Sequence, residues 1–375
     1  MDDNIFGILG VYGKNNLGDE ALLEAVKEDV RSIIPDAKFI VFCSDTVEVE
    51  RIHGDVAVSR RPFDNFFYKL SLIKKMKAFI VGGGTLLYEQ GGLLLNIKAI
   101  AAFYFWPIMA RIYSIRTIAY GQGIGPVYSI SMKIAIRLLG LVFDLITLRD
   151  RQSCRYMYTG SRCYITSDPV AGSHLYKRDL PEDNRSSPSY LLIAFRFPQA
   201  GNRELVKQWV AAISNFAIKE SCEIVLFPTQ LSERYYEDEI LLDEEYRQFI
   251  ASGVSAEYIS KAYWNTIEEG VAYLQNARVV VSNRLHALLL AAMGGVPCIG
   301  LGSNDKINGC LQMVGVDELV CFVEQNSIDA KAIEKMLDRT WCSSIYERAS
   351  IQNRVRSWSR AEPSNLTLLG NFIAK

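Results

Sequence analysis

An arginine and a histidine two residues apart, Arg284 and His286, stand in the stretch Val279 to Leu301, VVVSNRLHALLLAAMGGVPCIGL. A guanidinium grips carboxylate or phosphate through two parallel N–H groups. An imidazole ordinarily titrates near pH ~6.5, so it can give or take a proton near neutrality. Together the two types can hold an anion and move a proton. Val279 to Val281 end abruptly at Ser282-Asn283 and read as a buried strand. Ser282 or Asn283 is expected to cap a helix, along which Leu285, Leu288, Leu289 and Ala292 recur at helical spacing. Gly294-Gly295 ends that helix, and Val296 to Leu301 begins another strand. Arg284 and His286 thus fall at a strand-to-helix turn, where open α/β sheets bind ligands. The helix N-terminus there favours an anion. The plain alternative is an arginine paired with a local carboxylate and a histidine packed into the helix.

Three glycine-bearing stretches come next. Gly82-Gly83-Gly84-Thr85 follows a short apolar run and is expected to turn successive backbone N–H groups toward an anion. Gly121-Gln122-Gly123-Ile124-Gly125-Pro126 also follows a strand-like run. Neither it nor Gly7, Gly10 and Gly13 has the spacing of a dinucleotide fingerprint. Gly13 to Gly18 has the spacing of a phosphate-binding loop, but Asp19-Glu20 stands where Lys and Ser or Thr are needed, and two carboxylates repel phosphate. Tight structural turns remain the plain reading of all three. His53, His174 and His286 have no metal-ligand neighbours, so no metal is expected. No nucleophile elbow is present.

The elements that must position these residues alternate. Ile5 to Val11 reads as a strand, Asp19 to Ile33 as a helix, Ala37 to Cys43 as a strand. Residues 44 to 62 carry only turn and charge signals. Phe63 to Lys77 fits a basic amphipathic helix, Ala78 to Val81 a strand, and Leu93 to Tyr113 a helix with Pro107 as a kink. Thr117 to Tyr120, Ser129 to Leu141 and Asp144 to Leu148 read as strand, helix and strand, with a turn at Arg149-Asp150-Arg151. His174 to Ser189 is polar, holds two prolines and reads as a linker. Tyr190 to Phe195, Glu204 to Ile218 and Glu223 to Phe227 repeat the strand, helix, strand order. Such alternation is the pattern of a parallel, doubly wound sheet. The expected domains are 1–175 and 188–340, with 341–375 left as a helix and tail.

At 375 residues two domains are expected. The hydrophobic share of 49% and charged share of 22% describe a folded globular chain. A net charge of −1 argues against a general nucleic-acid binder. The eight cysteines form no CxxC pair and read as free thiols of a reducing compartment, so a cytoplasmic location is expected. The start, MDDNIFGILGVYG, is not a secretory signal. The longest apolar run, Ala99 to Ala110, is shorter than the ~20 residues of a spanning helix. Charge is unevenly placed. From Phe66 to Gly140 there are nine Lys or Arg residues against Glu89 alone, a local net of +8, interleaved with large apolar residues. From Leu231 to Gly270 ten acidic residues face Arg234, Arg247 and Lys261. Peripheral contact of the basic, apolar part with anionic lipid is expected, against ordinary amphipathic helices as the alternative.

An ordered set of short motifs resembles one family. Gly18-Asp19-Glu20-Ala21, Gly82-Gly83-Gly84-Thr85, Gly121 to Pro126, Leu148-Arg149-Asp150 with Ser153, Asp168-Pro169, Arg284-Leu285-His286, Gly295-Val296-Pro297 and Asp305-Lys306 occur in that order. Together they look like the polysaccharide pyruvyl transferase family over roughly residues 5 to 310. The resemblance implies two Rossmann-like domains facing across a cleft, as in GT-B enzymes. It implies transfer of the pyruvyl carbons of phosphoenolpyruvate to sugar hydroxyls, usually as a ketal, in cell-surface or exopolysaccharide biosynthesis. Arg284 and His286 then take the family's Arg-x-His position as catalytic residues. Arg149 and Arg196 match basic positions that help hold the donor, and Lys306, Asp19, Gly82, Gly83, Gly84 and Thr85 are substrate-binding candidates. The acceptor is expected to be a saccharide or a lipid-linked oligosaccharide.

The residues agree with that chemistry. Phosphoenolpyruvate carries a phosphate and a carboxylate, which two or three cations suit. Its phosphate leaves without a metal or further cofactor, given cations and helix N-termini to receive the charge. A GT-B glycosyltransferase using a nucleotide sugar shares the fold but wants a carboxylate for the ribose hydroxyls, and none is identifiable. A non-catalytic glycan-binding protein has no need of Arg284 and His286 at one strand end.

Overall fold

The structure, a computed structural model, describes residues 4–89, 92–157, 160–176, 190–195, 203–231, 237–301, 320–323 and 330–374. The chain forms two compact units, Met1–His174 with Trp358–Lys375, and Leu175–Ser357.

The first unit runs β1 (Ile5–Leu9), α1 (Leu17–Ile33), β2 (Lys38–Cys43), α2 (Thr46–His53), β3 (Val56–Ser59), α3 (Phe66–Ile73), β4 (Ala78–Val81), β5 (Gly84–Leu87), α4 (Leu93–Ile112), β6 (Arg116–Ile124), α5 (Ile130–Gly140), β7 (Leu145–Leu148), α6 (Arg151–Cys154) and β8 (Cys163–Ile165). All pairings are parallel, in the order β3-β2-β1-β4-β6-β7-β8, with β5 also on β6. Order reverses between β1 and β4, which makes their carboxyl ends the switch point of a doubly wound sheet. Helices cover both faces. α3, α4 and α5 share one core with Phe42, Phe79 and Ile146, and α1 shares the other with Ile8, Val41 and Ile118.

The second unit runs β9 (Tyr190–Ala194), α7 (Arg203–Glu220), β10 (Glu223–Leu226), α8 (Glu237–Ala251), β11 (Ile259–Lys261), α9 (Ile267–Asn276), β12 (Val279–Ser282), α10 (Leu285–Met293), β13 (Cys298–Leu301), β14 (Val320–Val323), α11 (Ala330–Trp341) and α12 (Ile345–Ser359). Its described strands order β11-β10-β9-β12-β13-β14, all parallel, and the reversal falls between β9 and β12. The core joins Ile193, Val281 and Ile299 with Trp209, Phe216 and Trp341.

Several sequence expectations change. Residues 44 to 62 hold α2 and β3. Asp45 caps α2 by accepting from Val47 N and Glu48 N, and Gly54 ends it at φ +67. The basic helix predicted over Phe63 to Lys77 shortens to α3. Gly84 already belongs to β5, and β6 continues through Gly121 to Ile124, so neither glycine stretch leads straight into a helix. The tail expected at 341–375 holds α12 and a last helix, α13 (Asn365–Ile373), which is part of the first unit. Leu369 and Ile373 join the α1 core, Arg116 Nη1 donates to Phe372 O at 2.7 Å, and Asn365 Nδ2 donates to Ser167 O at 2.8 Å.

Glu20 turns back onto the loop that precedes α1. It is buried, accepts from Gly13 N (3.0 Å) and Lys14 N (3.2 Å), and pairs with His53 Nε2 at 2.9 Å. His53 Nδ1 meets Glu24 Oε1 at 2.5 Å, and Lys27 joins Glu24 (2.8 Å) to Asp55 (2.6 Å). Burial pulls the His53 pKa down, but Glu20 and Glu24 outweigh it and hold it above the ordinary histidine value of 6.5. Burial pushes Glu24 up, yet His53 and Lys27 bring it down to about 2. The signs follow. The His53 contribution is complete below pH 6.5 and is lost as pH rises through its raised folded value. The Glu24 contribution is complete above pH 4.5 and is lost as pH falls toward about 2. His53→Gln should therefore cost most stability between these limits. That cost should shrink as pH rises above 6.5 and His53 loses its proton. Denaturant midpoints of both proteins across pH test this, and a pH-independent difference refutes it.

Candidate active site

In the second unit, the switch point between β9 and β12 is tied by Ser282. Its buried hydroxyl donates to Ala194 O at 2.6 Å and accepts from Arg284 N at 2.9 Å. Ser282 thereby joins the carboxyl ends of both strands and shapes the turn, so it does not cap the helix as the sequence suggested. Arg284 itself is the residue before α10, in extended conformation (φ −111, ψ 123). His286 lies in the first helical turn, and both side chains are half-buried. The rest of α10, Ala287 to Met293, is buried all round. An apolar helix of this kind has its polar end only where Arg284 and His286 stand. Its first N–H groups have no acceptor within the helix and carry the positive end of the dipole. One strand reversal thus holds a guanidinium, an imidazole and a helix N-terminus.

In the first unit the equivalent crevice is filled. Tyr12, 1% exposed, lies across the ends of β1 and β4. A Cβ on Gly82 would stand 1.9 Å from the Tyr12 hydroxyl, and one on Gly10 2.4 Å from Cζ. Burial, then the Asp19 and Glu20 carboxylates, push the phenol well above its ordinary range, so it stays neutral. The sequence reading missed Tyr12, because only strand order brings Gly10 and Gly82 together beneath one ring.

Beside it, the sequence-predicted residues Gly82, Gly83, Gly84, Thr85, Asp19 and Arg149 converge. Gln122 Nε2 donates to Val81 O at 3.0 Å and to Gly82 O. Gly82 N donates to Leu9 O at 2.9 Å, and Gly84 and Thr85 pair with β6. The glycine run is therefore a sheet crossing from β4 to β5, with Gly82 N taken up by Leu9 O. Asp19 Oδ1 would lie 4.0 Å from a Cβ on Gly84. Arg149, 2% exposed, donates from Nη1 to Asp168 Oδ2 at 2.9 Å and from Nη2 to Thr85 Oγ1 at 2.9 Å. Its guanidinium lies over Gly123, where a Cβ would come within 2.8 Å of Nε. Asp168, fully buried, also accepts from Val170 N. The structure therefore packs Arg149 as the centre of a buried polar cluster. Asp168 was visible in the sequence as part of Asp168-Pro169, but nothing there signalled its partner. Arg196 and Lys306 lie outside the described residues.

The sequence profile of polysaccharide pyruvyl transferase matches residues 16–305, spanning both units and ending just beyond the Arg-x-His segment. The chain belongs to the polysaccharide pyruvyl transferase family. A comparison with curated proteins by sequence gives no match. Solved structures give the fold. UDP-GlcNAc 2-epimerase from Neisseria meningitidis bound to UDP-GlcNAc aligns at TM-score 0.63 and 9% identity, over 99% of this chain and 100% of that one. UDP-GlcNAc 2-epimerase from Methanocaldococcus jannaschii aligns at 0.59 and 12%, over 94% and 98%. A glycotransferase of kitacinnamycin aligns at 0.55 and 11%, over 99% and 98%. This member of the pyruvyl transferase family therefore has the α/β, parallel-sheet fold of GT-B-type epimerases and glycosyltransferases, with its Arg-x-His pair at the second unit's switch point.

Proposed function

We propose that this pyruvyl transferase family member moves the pyruvyl group of phosphoenolpyruvate onto hydroxyls of a sugar residue, closing a ketal. The observation that carries this reading is the convergence of Arg284, His286 and the α10 N-terminus at the β9/β12 reversal. Arg284 binds the donor's phosphate or carboxylate bidentately, and the helix end adds N–H donors. A sugar hydroxyl oxygen bonds to C2 of the donor and gives up its proton, while the methylene carbon takes a proton and becomes a methyl group. The C2–O bond to phosphate then breaks, with its electron pair leaving on phosphate. The second hydroxyl bonds to C2 and gives up its proton. His286 is the group that moves these protons. Arg196 and Lys306 serve as further donor cations, while Arg149 holds Thr85 and the glycine crossing in shape. The acceptor is a saccharide or lipid-linked oligosaccharide, in polymer synthesis on the cytoplasmic side.

A nucleotide-sugar reaction is the second reading, favoured by the fold shared with UDP-GlcNAc 2-epimerases. Thermal shift separates the two. Phosphoenolpyruvate at a hundred times its Kd should stabilise the folded chain by about 2.7 kcal/mol, and UDP-GlcNAc should leave the Tm unchanged. A shift with UDP-GlcNAc and none with phosphoenolpyruvate would transfer the assignment to the second reading.

A further inference from the structure

α3, α4 and α5 form one layer. Their inward side chains, Ile73, Phe103, Trp106 and Ile136 among them, share a single core on one sheet face. The Phe63 and Phe66 rings each lie 6.2 Å from Phe105, Lys74 Nζ lies 4.6 Å over Tyr113, and Tyr104 meets Phe143 at 5.8 Å. What these helices turn outward is unusual for a water-facing surface. More than half of the large hydrophobic side chains exposed among the described residues fall between Phe63 and Leu141. Phe67 is 82% exposed, Leu94 74% and Ile130 75%. Ile130, Ile134 and Leu138, four apart, line the outer side of α5.

Cations stand on the same surface. Lys74 is seven residues after Phe67, Lys98 four after Leu94, and Arg137 three after Ile134, and all three are exposed. The acidic residues nearby are engaged: Asp144 pairs with Arg111, and Glu89 accepts from Tyr128 N and Ser129 N at the start of α5. Of the nine cations, Lys69 is buried and Arg111 is paired, while Lys74, Lys75, Lys98 and Arg137 stay exposed. A second copy of this face would bring like charges together. Nucleic acid offers no apolar layer to receive Leu94 or Ile130. An anionic bilayer offers both, with headgroup phosphates for Lys and Arg and the acyl boundary for Phe, Leu and Ile. No helix among the described residues is long and apolar enough to cross a membrane.

We propose that the α3–α4–α5 face of the first unit docks on a membrane surface rich in anionic lipid. Docking is independent of which donor the enzyme uses. Flotation of the full chain with phosphatidylcholine vesicles, with and without phosphatidylglycerol, tests it. Binding should require phosphatidylglycerol and fall steeply with salt. Lys74→Gln, Lys98→Gln and Arg137→Gln together should weaken it about a hundredfold, from about fivefold per cation. Phe67→Ser, Leu94→Ser and Ile130→Ser together should abolish it, with the Tm retained because all three are exposed. Flotation that ignores lipid charge, no flotation at low salt, or both variants binding as the parent does would each overturn the proposal. So would a dimer in solution that the serine variant dissociates while lipid is never bound.

Discussion

His286→Ala should fold as the parent does and release phosphate from phosphoenolpyruvate, with acceptor present, ~10²–10⁴-fold more slowly, the usual worth of a positioned acid or base. Donor affinity should change little, since in the proposed function Arg284 and the α10 N-terminus hold the anion. Arg284→Ala should weaken donor binding as well as turnover. Arg284→Lys restores charge without the two-pronged geometry and so should recover only part of the affinity. A histidine that merely packs would behave otherwise, with Tm falling and turnover intact. Phosphate release by His286→Ala at the parent's rate removes it from the mechanism. Glu89 is then a poor substitute as proton donor. The backbone N–H of Ser129, aided by its hydroxyl and by Tyr128 N–H, holds its carboxyl below the usual range, so it is ionised at neutrality. Asp19, half-buried at the glycine crossing, is the next residue to test.

Asp168→Ala should destabilise the first unit by roughly 3–5 kcal/mol, because it removes the nearest carboxylate from the buried Arg149 charge. The side chains of both are almost wholly enclosed, at 3% and 0% exposure. Thr85 supplies a hydroxyl but no charge, and Asp150 Oδ2 lies 4.0 Å from Nε. Replacing the pair together, Arg149→Met with Asp168→Leu, should recover much of the loss, since an apolar pair carries no desolvation cost. Denaturant midpoints of the single and double variants measure this. A loss in Asp168→Ala below about 1 kcal/mol would mean that Arg149 is compensated elsewhere. If the double variant is stable yet inactive, Arg149 and Asp168 act through the shape of the Thr85 crossing.

Much of this was legible locally. The apolar periodicity of Asp19 to Ile33 gave α1, missing only Leu17 and Gly18, since Asn16 rather than a later residue caps it. The valines before Ser282 gave β12 and put Arg284 and His286 at a strand end. α2 escaped notice although Asp45 and Gly54 bracket it, because it is 8 residues long and buries only Val49. Periodicity needs several turns to rise above noise.

By itself, then, the sequence determined the parallel α/β class, the family motifs and the Arg-x-His turn, all of which depend on residues near one another in the chain. Tertiary structure decided what lies beside each strand end. It brought Ala194 to Ser282, so that Arg284 and His286 stand at a reversal of strand order. It laid Tyr12 across Gly10 and Gly82, and it joined Arg149 to Asp168 and Thr85. It also returned α13 to the first unit, some two hundred residues along the chain from Thr166, whose hydroxyl meets Asn365 Oδ1 at 2.7 Å. Hydrophobic spacing records which face of an element is buried. Burying a guanidinium, a phenol or a carboxylate depends instead on a partner supplied by another strand, and that is set by packing order rather than by any local pattern.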